Sequence, residues 1–180
     1  MRTKQAVRIA VVLAVFVVGV VAGAWASKKG LLGADLFTSK STKDAGHAVL
    51  TAAQTMADKE GSWEKIAVAR VNYLSGDKAG AQAAFDRVLA DKKVKAGDWY
   101  RIGKIYLEAG EWDKAKTSFD KVLELEPKDQ DWLAEIGSYY VLKGDRAKGE
   151  ELFARSFTQD SDSIYNAVKV AGSYLGVKPN

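Results

Sequence analysis

The residues of this sequence that could carry chemistry are few. Its only histidine, His47, has no partner at metal-ligand spacing and no nucleophile or acid that the sequence sets beside it. Cysteine is absent, which excludes disulfides, thiolate metal sites and cysteine nucleophiles. There is no glycine-rich phosphate loop and no nucleophile elbow. The carboxylates fall at helix starts and on polar faces, as a solvated helix requires. The sequence therefore predicts no enzyme, no metal, no cofactor and no small-molecule substrate. Recognition chemistry is what remains. Guanidinium groups grip carboxylates through paired hydrogen bonds, and tyrosine and tryptophan supply rigid contact area.

The elements that must position such groups repeat along the chain. Residues 96–129, AGDWYRIGKIYLEAGEWDKAKTSFDKVLELEPKD, read as two amphipathic helices joined by a tight turn. A shift of 34 residues brings Gly76, Gly110 and Gly144 into register, together with Phe85, Phe119 and Phe153, and with Val68, Ile102 and Ile136. The small residues Ala69, Gly103 and Gly137 align, as do Ala81, Ala115 and Gly149. A fixed period of this length marks a helical solenoid, in which each hairpin exposes an apolar face that only a neighbouring hairpin buries. The Gly-Asp and Gly-Glu pairs at 76, 110 and 144 suit a turn followed by a carboxylate at the positive end of a helix. Pro127 ends the second helix of its copy.

The chain resembles the tetratricopeptide repeat family. In the central copy Trp99, Ile102, Gly103, Tyr106, Gly110, Ala115, Phe119 and Pro127 stand where that family's pattern has Trp, Leu, Gly, Tyr, Gly, Ala, Phe and Pro. The third copy keeps Leu133, Ile136, Gly137, Tyr140, Gly144 and Phe153, but has Ser156 and Ser161 for the usual Ala and Pro. The first keeps Val68, Ala69, Gly76, Ala81 and Phe85, with Asn72 in place of the Tyr. The resemblance covers about residues 62–163 and implies an all-α solenoid of three helix hairpins. In such folds the small residues at 103 and 137 admit close helix approach, with Trp99, Tyr106 and Phe119 filling the space between helices.

The resemblance also implies that the first helix of each hairpin lines a concave, protein-binding groove. Carried over position by position, its facing residues are Trp63, Ile66, Arg70 and Tyr73 in the first copy. The second copy gives Tyr100, Arg101, Lys104 and Glu108, the third Glu135 and Ser138, and the last helix Tyr165 and Lys169. The middle of this groove is aromatic and basic, so a peptide with acidic and apolar residues is the expected ligand. Family members that hold a terminal carboxylate use a Lys and Asn set. Ile66 and Arg70 stand at the first of those positions, which argues against that ligand. Trp112 is expected at the seam between copies, and Trp132 over the loop after Pro127.

Outside the repeats, three of the 27 basic residues precede residue 27 with no acid, so the remainder balances 24 basic against 23 acidic residues and carries no nucleic-acid footprint. After the basic flank 1–8, residues 9–27 run IAVVLAVFVVGVVAGAWAS without a charge, long enough to cross a hydrocarbon core of about 30 Å. The stretch reads as an uncleaved transmembrane anchor, or as a signal peptide cut after Ala24-Trp25-Ala26; its length favours the anchor. Arg2, Lys4 and Arg8 against Lys28 and Lys29 bias the N-terminus inward. In both readings the repeats lie across a membrane, with a bacterial inner membrane and its periplasm the expected setting. Gly19 and Gly23, four apart, offer a groove on which another membrane helix packs.

Residues 28–43 read as a tether, 44–61 as an N-terminal cap helix carrying His47, and 164–180 as a C-terminal capping helix and tail. In the terminal helix Ala167, Val170, Ala171 and Tyr174 occupy the places of Trp99, Ile102, Gly103 and Tyr106. Together these features predict a membrane-tethered adaptor that holds segments of other proteins during envelope assembly. The alternative is a non-catalytic subunit of a larger membrane complex, held by its membrane helix and its repeats.

Overall fold

The computed structural model describes residues 31–179, and all regular structure among them is helical. The expected basic flank 1–8 and membrane span 9–27, with Gly19 and Gly23, lie outside the described residues. Among the described residues no helix is long and apolar enough to cross a membrane.

The chain divides into two compact units, with the boundary after Met56. In the first, a 3-10 turn at Ala34–Leu36 precedes α1, Thr42–Ala57. Ser41 caps α1: its Oγ accepts from the Asp44 amide at 3.2 Å and donates to the Asp44 carboxylate at 2.6 Å. His47 is exposed on this helix.

The second unit holds α2 (Ser62–Ser75), α3 (Lys78–Leu89), α4 (Ala96–Glu108), α5 (Trp112–Leu125), α6 (Gln130–Leu142), α7 (Arg146–Gln159) and α8 (Ile164–Tyr174). Helices α2 and α3, α4 and α5, and α6 and α7 pair as hairpins, α2 packs on α4, and α8 packs on α6. The turn glycines of the three hairpins have φ of 116°, 79° and 91°, a left-handed conformation that a Cβ disfavours. Asp77 and Asp145 then cap the following helices, accepting from the amides of Gly80 and Lys148. Helix α5 ends at Leu125, two residues before Pro127.

In the second and third hairpins the helices meet without space for a side chain at the register that Ala69 occupies in the first. A Cβ at Gly137 would lie 2.7 Å from Phe153 Cε1, and one at Gly103 the same distance from Phe119 Cε1. Phe85, Ile102, Phe119, Leu133, Ile136 and Leu152 are fully buried in one continuous core. Rings link successive hairpins: Tyr106 meets Tyr73 edge-on at 5.5 Å, and Tyr139 stacks on Phe119 at 5.2 Å. Trp112 sits at the second seam, edge-on to Tyr140 at 5.3 Å. Trp132 stacks on Tyr100 at 6.2 Å.

Candidate protein-binding groove

The inner helices α2, α4 and α6 line a cavity of about 520 Å³. Its walls include Trp63, Ile66 and Arg70 from α2, and Tyr100, Arg101, Lys104 and Glu108 from α4. Every one of these is a position assigned to the groove from sequence. At one edge the Arg101 guanidinium lies 3.7 Å above the Trp63 ring, a cation-π stack of two exposed side chains. Arg70 pairs with Glu108 in a two-pronged contact, Nε donating to Oε2 at 2.8 Å and Nη2 to Oε1. Arg70 therefore meets a carboxylate of its own chain.

Beneath this floor lies a buried carboxylate. Glu135 accepts hydrogen bonds from the Tyr100 and Tyr139 hydroxyls, and both Lys104 and Lys169 approach it at 3.5 Å. Lys104 also donates to the Tyr139 hydroxyl. Burial, reinforced by the Glu135 charge, pushes the Tyr100 and Tyr139 phenols well above the ordinary tyrosine range. Both hydroxyls therefore stay protonated as donors at neutral pH. The cluster joins α4, α6 and α8.

Four assigned positions are buried, and of these only Ile66 lines the cavity. Tyr73 is buried because its ring packs on Phe85 and Tyr106, and its hydroxyl donates to Glu111 at 2.6 Å. Ser138 is buried because α8 covers it: its Oγ donates to the carbonyls of Ala134 and Lys169. Glu135 is covered along with it, only 8% exposed. Ser138 falls at the register of Arg70 and Lys104, so the same position is open in the first two hairpins and closed in the third. Tyr165, on α8, is 79% exposed and stands apart from the cavity.

The structure adds residues that the sequence reading missed. Ala67, Ile105, Leu107 and Tyr139 line the cavity, as do Lys178 and Pro179. Ala67 shares the register of Arg101, which was a signal available in the repeat. Nothing in the repeat pattern points to Lys178 or Pro179, which follow the last helix. Among the described residues no group of three or more His, Asp or Glu side chains is placed to hold a metal ion.

Residues 96–129 match the tetratricopeptide repeat family. The match spans α4, α5 and the loop that follows, the hairpin whose first helix gives the cavity wall more residues than any other helix. The chain is also similar to human Superkiller complex protein 3, 30% identical over 84 residues, or 44% of this chain. It is 28% identical over 82 residues to Tetratricopeptide repeat protein 37 of Xenopus laevis, or 46% of this chain. It spans about 5% of the length of each of these relatives. The likeness is thus one of tetratricopeptide repeat hairpins, and the fold and a role in protein–protein interaction are what it supports.

Proposed function

We propose that this protein is a membrane-tethered adaptor whose groove holds an extended, acidic and apolar segment of a partner protein during envelope assembly. The observation that carries the reading is the exposed Trp63–Arg101 stack at the edge of a 520 Å³ cavity. Aromatic and arginine side chains side by side are the residues that dominate protein interfaces. The cavity wall has Arg70, Arg101 and Lys104 against Glu108, an excess of positive charge that favours an acidic partner. The uncharged run of residues 9–27 supports an anchor in a bacterial inner membrane, with the repeats on the periplasmic side.

The test is site-specific photo-crosslinking in native membranes from a probe at Ala67, an exposed cavity residue whose side chain carries no polar group. Adducts with several envelope proteins, lost on replacing Arg70, Arg101 and Lys104 together by Ala, are the expected result. Adducts unchanged by the triple replacement would remove the role of the basic wall.

One further observation favours the second reading, a fixed subunit of a larger membrane complex. Ile164 and Val168 of α8 and Leu175 just after it are 70%, 65% and 80% exposed. Large contiguous apolar exposure of this kind marks interaction sites. A single integral-membrane adduct that co-purifies at constant ratio through detergent would decide for the subunit.

A further inference from the structure

The stretch that follows α8 does not leave the molecule. Gly176 takes a left-handed φ of 78°, and the Val177 amide donates back to the Gly172 carbonyl at 2.8 Å. This pattern ends the helix and turns the chain sharply. Residues Tyr174 to Lys178 are all exposed, and then Pro179 is buried. Lys178 and Pro179 share the lining of the cavity with Trp63, Arg70 and Arg101, although α8 itself packs on α6. The segment thus crosses from the third hairpin to a cavity walled by the first and second.

A proline in that position has a physical logic. Its fixed φ costs little further entropy on ordering, and aromatic-lined grooves bind such extended segments without a helix or strand partner. Only one residue of the segment is buried, so its hold is weak for each encounter. Its tether supplies the rest, because a short link to the groove gives an effective concentration on the order of millimolar.

Resting on the groove reading above, we propose that residues 177–179 are an intramolecular occupant of the groove, and that the extended acidic partner segment of that reading also bears a proline and must displace them. Partner binding is then set against the segment as well as against solvent. With a Kd of about 0.1 mM for one such peptide and a local concentration of about 1 mM, the segment weakens binding in trans roughly tenfold.

The probe is a fluorescein-labelled peptide with this chain's own residues 175–180, Leu-Gly-Val-Lys-Pro-Asn. Its binding by anisotropy is compared in detergent for the intact chain, a chain shortened after Gly176, and the full-length variant Pro179→Gly. The shortened chain is expected to bind roughly tenfold tighter than the intact one, and Pro179→Gly to fall between them. Trp63→Ala in the shortened chain is expected to remove the gain. Pro179→Gly keeps the Val177 cap of α8, so it reports on the segment even if shortening unfolds that helix.

Equal affinity for all three chains would overturn the inference, and so would a gain that survives Trp63→Ala. The Ala67 crosslinking separates this failure from that of the groove itself. Equal capture of partners by intact and Pro179→Gly chains sinks the intramolecular occupant and leaves the groove. No capture by either sinks both.

Discussion

Glu111 gathers one tyrosine hydroxyl and two lysine ammonium groups, Glu135 two hydroxyls and two ammonium groups, and both fasten one hairpin to the next. Glu111 begins α5 and takes Tyr73 from α2, Lys78 from α3 and Lys114 from its own helix. Its side chain stays 23% exposed. Glu135 is held beneath α8, at 10%. The same chemistry acts at two depths. Hydrogen bonds from Lys114, Lys78 and Tyr73 hold the Glu111 carboxyl down at about 2. Around Glu135 burial, with the carboxylate beside them, raises the Tyr100 and Tyr139 phenols. An open cluster tunes its carboxylate, whereas a closed one depends on every member for charge and hydrogen-bond balance.

The largest test of this contrast is Glu135→Ala. It leaves Lys104, Lys169 and two hydroxyls without their acceptor, and is expected to cost about 3 kcal/mol in urea melts. A loss no greater than that of the same change at Glu111 would erase the distinction.

Gly137→Val and Gly103→Val touch neither cluster. Each drives a side chain into a phenylalanine ring inside its hairpin, for an expected loss of about 2 kcal/mol at both positions. Similar melts for the two variants would show that the hairpin interiors are alike and that the seams carry the difference.

Glu111→Gln is milder, about 1 kcal/mol at pH 7, because Lys78 and Lys114 are more than half exposed and solvent screens them. The sign follows from the depressed carboxyl. Its stabilisation is complete above the ordinary carboxylate range and is lost as pH falls from about 5 toward 2, where the folded state also takes up the proton. The parent should lose this increment across that window and the Gln variant should not.

Arg70→Ala breaks a half-exposed pair with Glu108, and its cost to stability is expected at about 0.5 kcal/mol or less. Its effect belongs in partner capture. A stability loss rivalling that of Glu135→Ala would make the groove wall structural.

The repeat made much of this fold legible. Gly76, Gly110 and Gly144, the phenylalanines 34 residues apart and the small residues at 103 and 137 each predicted a turn or a contact that the structure contains. These features depend on neighbours at short range, within one hairpin. The groove was legible where its register stays open: Trp63, Arg70, Arg101 and Lys104 reach the cavity. It was not legible at Ser138 and Glu135, because their burial depends on α8 docking over α6. Glu111 reads in sequence as an acidic helix start, yet its side chain makes no cap hydrogen bond and binds Tyr73 and two lysines instead.

Periodicity by itself thus determined the hairpins, their turns and the close helix contacts, since a 34-residue register states which residues share a face and where no side chain fits. The tertiary structure alone decided which of two like carboxylates is enclosed, which groove position α8 closes, and that Pro179 returns to a cavity far from it in sequence. The physical reason is range. Register is a local property of the chain, while burial, charge compensation and occupancy are sums over partners that only the stacked helices bring together.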